Sequence, residues 1–229
     1  MAHILDNPIY NALSSAHSAF AQGNEEIKFY LEEVSPFAGF KENGTDSLDL
    51  LFDLTEEDRT FVVFTPQSYE IPKKWELITQ IDMFQMVYEG DDVPSDMGLA
   101  FQNLDHSHVD EMIELVKLTQ PGPFKKKTID LSNYIGIFSE GKLVSMAGHR
   151  FHPEPYIEIS AVCTHPDHFG KGYAFQLLRE QIIRILGKNQ VPFLHVRDDN
   201  TAAVSLYKKL GFTVRIPMLA YVVKKGKEF

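Results

Sequence analysis

The 229-residue sequence holds one cysteine, Cys163. No disulfide can form within the chain, and a reducing compartment, the cytoplasm, is the expectation. No stretch approaches the ~20 apolar residues of a membrane span, so no membrane is expected as a partner. The opening residues MAHILDNPIY lack a basic segment followed by an apolar run, so no signal peptide is expected. The nine histidines show no zinc-site spacing, and no metal is expected. Basic residues are scarce in the first half: 6 Lys and Arg stand against 23 Asp and Glu in residues 1–119, a net −17. Residues 120–229 hold 16 basic and 9 acidic side chains, a net +7. The total of −10 argues against nucleic acid as a partner. The second half can attract an anion, although two differently solvated surfaces describe the asymmetry equally well.

What is present suits a folded domain with a real core: 44% of residues are hydrophobic and 24% charged. Residues 1–96 mix signals. Ile9, Leu13, Ala16 and Phe20 recur at helical spacing, Asn43-Gly44 marks a turn, and Arg59–Pro66 is a short β-rich run. Trp75–Glu89 is apolar but ambiguous between helix and strand. The polar, proline-containing stretch Glu89–Asp96 is the best boundary, dividing a divergent α/β region, 1–96, from a second domain, 97–229.

The second region reads more clearly. Gly98–Leu104 has the pattern of a strand. Val109, Met112, Ile113 and Val116 place a helix over His106–Thr119, capped by Asp105 or Ser107 and ended by QPGPF. Tyr134–Ser139 and Lys142–His149 form a hairpin about Glu140-Gly141. Tyr156–Thr164 is apolar enough to be a central strand. Phe175, Leu178, Ile182 and Ile185 form one stripe of a helix over Gly172–Leu186, with Gly187 at its end. Pro192–Val196 is a strand, Asn200–Leu210 a helix closed by Gly211, and Arg215–Val223 a last strand. Crossovers require parallel strands and hairpins antiparallel ones, so the fold class is α/β or α+β with a mixed sheet.

Gly170, Lys171 and Gly172 fall between the central strand and the following helix. The first N–H groups of a helix lack internal partners, and its dipole is positive there. Glycines let a ligand approach the backbone closely. Together these features can hold an anion, commonly phosphate; a plain tight turn is the simpler reading. Two nucleotide motifs are excluded. Lys171 is followed by Gly172 rather than Ser or Thr, and position 175 is Phe175 where a dinucleotide fingerprint needs a third glycine.

The segment AVCTHPDHFGKGYAFQLL, followed by DDNTAAVSLYKKLGF, resembles the GNAT superfamily of acyl-CoA-dependent N-acyltransferases. That family's pyrophosphate loop, Arg/Gln-x-x-Gly-x-Gly/Ala, aligns with Phe169, Gly170, Lys171, Gly172, Tyr173 and Ala174. Gly172 and Ala174 match; Phe169 departs from Arg/Gln. The later motif matches at Asn200, Ala203, Leu206, Tyr207, Gly211 and Phe212. The resemblance is strong over 156–212, extends plausibly over 97–229, and looks closest to the glycine N-acyltransferase-like branch.

The resemblance implies a mostly antiparallel GNAT-like sheet flanked by helices, acetyl-CoA as co-substrate, and direct attack by a primary amine in a ternary complex. Backbone groups of Val162 and Thr164, flanking Cys163, would pair with the pantetheine arm as an added strand; simple core strand is the alternative. N–H groups from Phe169 to Ala174 would hold the pyrophosphate. Asn200 sits at its helix start, where capping and cofactor contact are compatible. Tyr207 is the candidate acid for the departing thiolate, against a packed tyrosine. Glu158, the one acid inside the central strand, is either the base for the amine or a carboxylate paired with Arg or Lys. His149, His152 and Glu154 are weaker candidates. His165 and His168 read as turn or surface residues, His195 as structural, and Cys163 as a small core residue. A non-catalytic acyl-CoA sensor is the competing function. A homodimer through exposed strand edges is possible in principle.

Overall fold

A computed structural model describes residues 3–90 and 100–226. The chain begins with helix α1 (Pro8–Leu13), then strands β1 (Ala21–Gly23), β2 (Ile27–Tyr30) and β3 (Phe37–Phe40). Helix α2 (Thr45–Leu54) leads to β4 (Thr60–Thr65) and β5 (Trp75–Tyr88). From residue 100 onward come β6 (Gln102–Asn103), α3 (Val109–Thr119), β7 (Ile135–Ser139), β8 (Lys142–His149) and β9 (Tyr156–Thr164). Helix α4 (Tyr173–Leu186), β10 (Val191–Arg197), α5 (Thr201–Lys209) and β11 (Phe212–Lys225) complete the chain.

The strands form one mixed sheet in the order β1-β2-β3-β4-β11-β5-β10-β9-β8-β7-β6. Pairs β3–β4 and β9–β10 are parallel; the other neighbours are antiparallel. Thus β11 lies between β4 and β5, and strands from both ends of the sequence share one sheet. Alternation along each strand divides the core between the two faces. Phe64, Met83 and Phe193 pack with Leu5, Ile9 and Leu13 under α1. Phe61 and Val63, one residue over, pack with Leu48, Leu51 and Phe52 of α2. Ile157, Ile159 and Leu194 meet Leu178, Ile182 and Ile185 of α4 and Tyr207 of α5. Helix α3 covers Met146 and Cys163 with Met112 and Leu115.

Several expectations are met closely. Strand β9 has the expected bounds, and Glu140 and Gly141 both take positive φ, as the hairpin's tight turn requires. Asp105 Oδ1 accepts from the Ser107 N–H at 2.9 Å, and Gly211 closes the turn after α5 with φ 98°. The ambiguous run Trp75–Glu89 is strand through Tyr88. Others change. Helix α1 stops at Leu13, Ala16 is exposed, and Ser15 Oγ bonds the Asn11 carbonyl, competing with further helix. Gly187 does end α4 as its C-cap, as expected, but with φ −61°, and the left-handed residue that turns the chain is Asn189. The expected strand Gly98–Leu104 is two residues long within the described part; Gly98, Leu99 and most of Glu89–Asp96 lie outside the described residues. Helix α2 was not foreseen, although Leu48, Leu51 and Phe52 carry helical spacing.

Candidate active site

Strands β9 and β10 pair only from Val191–Tyr156 to Phe193–Glu158. Beyond that point they part. Strand β10 stays with β5 as far as Arg197, while β9 stays with β8 as far as Thr164. The result is a V-shaped slot in the sheet. Its arm on β9 contains a bulge: Met146 faces Cys163 and Gly148 faces Ser160, so Ala147 opposes both Ala161 and Val162. Ala161 takes φ 52°, a left-handed conformation rare for alanine.

The bulge sets which backbone groups face the slot. The His165 N–H bonds the Val144 carbonyl at 2.7 Å, marking a hydrogen-bonded pair. By antiparallel alternation from Cys163, Thr164 turns its N–H and C=O groups, and Val162 its C=O, away from β8, toward the opening. Thr164 Oγ1 is 2.8 Å from Ser145 Oγ, and Val162 is half-buried. Cys163 between them is buried under α3, and burial pushes its thiol up to about 11, so it is a core residue without nucleophilic character.

At the mouth of the slot the chain turns into α4. Gly170 and Gly172 have φ 76° and 75°, and Gly172 is the helix N-cap. A Cβ at Gly170 would meet nothing within 4 Å, and one at Gly172 only the Gln176 side chain at 3.6 Å. Both glycines are therefore required by backbone conformation, and they leave open space over the helix N-terminus. Tyr173 and Ala174 supply the first helical N–H groups, which lack intrahelical partners. Phe169 is 67% exposed and directs its ring outward. Lys171 Nζ donates to His168 Nδ1 at 3.1 Å, and His168 stacks on Tyr173. His165 Nδ1 accepts from the Asp167 N–H, the turn role expected for it. A groove of about 810 Å³ between α3, the β7–β8 turn and this loop is lined by Glu114, Lys142, His165 and Lys171 among others.

Asn200 caps α5 through Oδ1, which accepts from the Ala203 N–H at 3.1 Å. Tyr207, two turns on, packs against Phe212, and burial pushes its phenol up to about 12. It stays protonated at neutral pH. Against a thiol near ~8.5, full proton transfer from such a phenol is uphill by ~5 kcal/mol, so it suits hydrogen bonding to a departing sulfur better than complete donation. The rough match of phenol and thiol expected from ordinary values is thereby loosened.

Glu158 is fully buried and its carboxylate is occupied. Arg150 donates to it from Nε at 2.8 Å and from its terminal nitrogen at 2.6 Å, and His195 Nδ1 lies 2.7 Å from Oε1. Burial alone would raise the carboxyl; Arg150 and His195 outweigh it and hold it down to about 2. Such a carboxylate is a poor proton acceptor for an amine. Of the two readings open for Glu158, the structure has the paired carboxylate, because Arg150 comes across the β8–β9 connection to meet it. The His195 side chain is buried between Glu158 and Gln85, an arrangement that agrees with the structural reading. His149 is buried against the half-buried His152, which in turn packs on His17, and Glu154 is exposed. Arg150, Gln85, Arg215 and Ala161 were not singled out from sequence; only Arg150, an arginine eight residues before a strand acid, carried a readable signal.

A sheet that splays at one parallel pair, a bulge beside the opening and a glycine-rich helix start at its mouth agree with the GNAT-like fold expected from the sequence. Residues 134–221 match the family described as FR47-like protein. Over 97 residues the chain is 35% identical to N-alpha-acetyltransferase RimI of Mycobacterium tuberculosis, a match covering 40% of this chain and 60% of that protein. The chain thus spans about 60% of the length of that curated relative. A putative GNAT-family acetyltransferase from Novosphingobium aromaticivorans superposes with a TM-score of 0.91 at 28% identity, covering 99% of this chain and all of that one. A GCN5-related N-acetyltransferase from Kribbella flavida shares the fold at a TM-score of 0.60 and 12% identity, covering 96% of each chain. These likenesses agree with the GNAT-like fold that the sequence resemblance implies.

Proposed function

We propose that the protein is an N-acetyltransferase that transfers the acetyl group of acetyl-CoA to a primary amine by direct attack. The observation that carries this reading is the V-shaped slot, with the Val162 and Thr164 backbone groups facing into it and the Gly172 helix start at its mouth. The pantetheine arm would lie against β9 as an added strand. N–H groups from Phe169 to Ala174 would receive the pyrophosphate, with Lys171 adding charge. That task belongs to the backbone, so Phe169 does not prevent it. Asn200 would contact the cofactor while capping α5, and Tyr207 would stabilise the departing thiolate. Glu158 takes no proton here; the amine would lose its proton to solvent or to a water in the slot.

The N-terminal region, 1–96, preceding an acyl-CoA region, 97–229, favours kinship with the glycine N-acyltransferase-like branch. The lone cysteine favours a cytoplasmic setting, and a homodimer through strand edges remains part of the same proposal. The competing reading, a non-catalytic acyl-CoA sensor, shares the slot. Calorimetry with acetyl-CoA, followed by thiol release in the presence of an amine panel, separates the readings. Binding with turnover supports the enzyme, binding without turnover supports the sensor, and absence of binding overturns both.

A further inference from the structure

Glu158 is the last residue of β9 in register with β10, opposite Phe193. His195 lies just past the point where the strands part, on the same face as Phe193. The 2.7 Å contact between their side chains therefore spans the apex of the V, joining the final paired position of one strand to the first separated turn of the pleat on the other. We propose that Glu158 and His195 act as a clasp that fixes the angle at which β9 and β10 diverge, making both positioning residues for the acyl-CoA slot. This rests on the reading of that slot given above.

The hydrogen bonds determine the state of the clasp. Gln85 has one donor on the Leu5 carbonyl at 2.8 Å, and its Oε1 accepts from Arg215 Nε. Its amide orientation is thereby set, and its remaining N–H points at His195 Nε2, 3.0 Å away. Nε2 must accept, so the proton of the neutral ring sits on Nδ1 and is donated to Glu158. Burial lowers the imidazole's tendency to charge, which keeps that tautomer. A second proton would oppose two donors at Gln85.

The clasp is anchored at both ends. On one side Arg150 grips Glu158 while its guanidinium lies over the rings of Phe37, Phe64 and Phe151 at 4.8, 5.4 and 4.7 Å. On the other, Arg215 joins Gln85 to Asp6. The His195 ring itself meets Phe64 and Phe193 edge-on at 4.8 and 5.7 Å. A buried ion pair is weak evidence for stability, since apolar replacements of similar volume often do as well. Its directional hydrogen bonds, in contrast, specify where each strand lies.

The test compares His195→Leu and Glu158→Gln with His195→Asn, whose amide can replace the Nδ1 donor. Readouts are KM and kcat for acetyl-CoA, the pH profile of kcat, calorimetric affinity, and hydrogen exchange of 159–164 and 195–197, with thermal melts as a folding control. The clasp requires His195→Leu and Glu158→Gln to raise KM about ten- to a hundredfold and to speed exchange along the slot. The kcat and its pH profile should change little, and His195→Asn should stay near wild type. Unchanged KM and exchange in folded His195→Leu would overturn it. So would loss of kcat with unchanged KM and a missing acidic limb in Glu158→Gln, which marks a base. If His195→Leu does not fold, Glu158→Gln and His195→Asn decide by the same criteria. If the wild type binds no acetyl-CoA, the slot reading fails, while exchange in the variants still supports or rejects the clasp.

Discussion

One sheet contains two opposite seams. Strands β5 and β11 stay in register from Tyr88–Phe212 to Trp75–Lys225, through two irregularities. Strands β9 and β10 hold three positions and separate. Where pairing is complete, backbone groups are consumed internally and contribute to stability. Where it ends, the same groups are left facing an opening and become available to a ligand. Substitutions that empty the apolar core at the closed end of the V should therefore act chiefly on folding, and substitutions at its mouth on binding.

The largest expected effect is at the closed end. Phe193 is fully buried where the two strands last pair, and Phe193→Ala should destabilise the protein by ~3–5 kcal/mol in denaturant unfolding. At the mouth, Gly172→Trp should weaken acetyl-CoA binding at least ~100-fold by calorimetry through occupation of the helix start, with a loss of stability limited to the ~1–2 kcal/mol of strain at φ 75°. Equal losses of stability in both variants would break the contrast between the seams.

Acid should act on the core away from the slot. Burial lowers His17 and His149 to about 3 and His152 to about 4. The unfolded chain thus takes up protons first, at its ordinary value of 6.5, and stability present at neutral pH declines as the pH falls below it. Each ring contributes a loss of ~2 kcal/mol by pH 5. Glu158 adds to the trend only below its ordinary value of 4.5. His149, whose ring nitrogens have no hydrogen-bond partner among the described residues, offers the clean control. His149→Leu should flatten the unfolding free energy between pH 7 and pH 5 by about one ring's share.

The smallest effect concerns the bulge. A β-branched residue is more strained than alanine at φ 52°, so Ala161→Val should lose ~1–2 kcal/mol in thermal melts. A neutral result would mean the bulge shifts easily, and the slot would then be less rigidly built than its geometry suggests.

Much of the C-terminal region was legible because its signals are local. The Glu140-Gly141 turn, the apolar run of β9, the glycines before α4 and the Asn200 cap all act within a few residues. Trp75–Tyr88 was ambiguous for a physical reason: much of its first half is exposed on both sides, so period-two alternation is absent. Glu158 was readable only as two alternatives, because its partners come from Arg150 across a connection and from His195 on another strand. Ala161 was invisible, since nothing about an alanine signals positive φ. The departure of β9 from β10 likewise has no mark in either strand alone.

The position of β11 bears on how the chain reaches this state. Strands β4 and β5 follow one another in sequence, yet each pairs with β11 and the two are not neighbours. During synthesis both would wait, with edges unfilled, until residues 212–225 leave the ribosome. Such distant pairing slows folding and leaves apolar strands open to wrong partners.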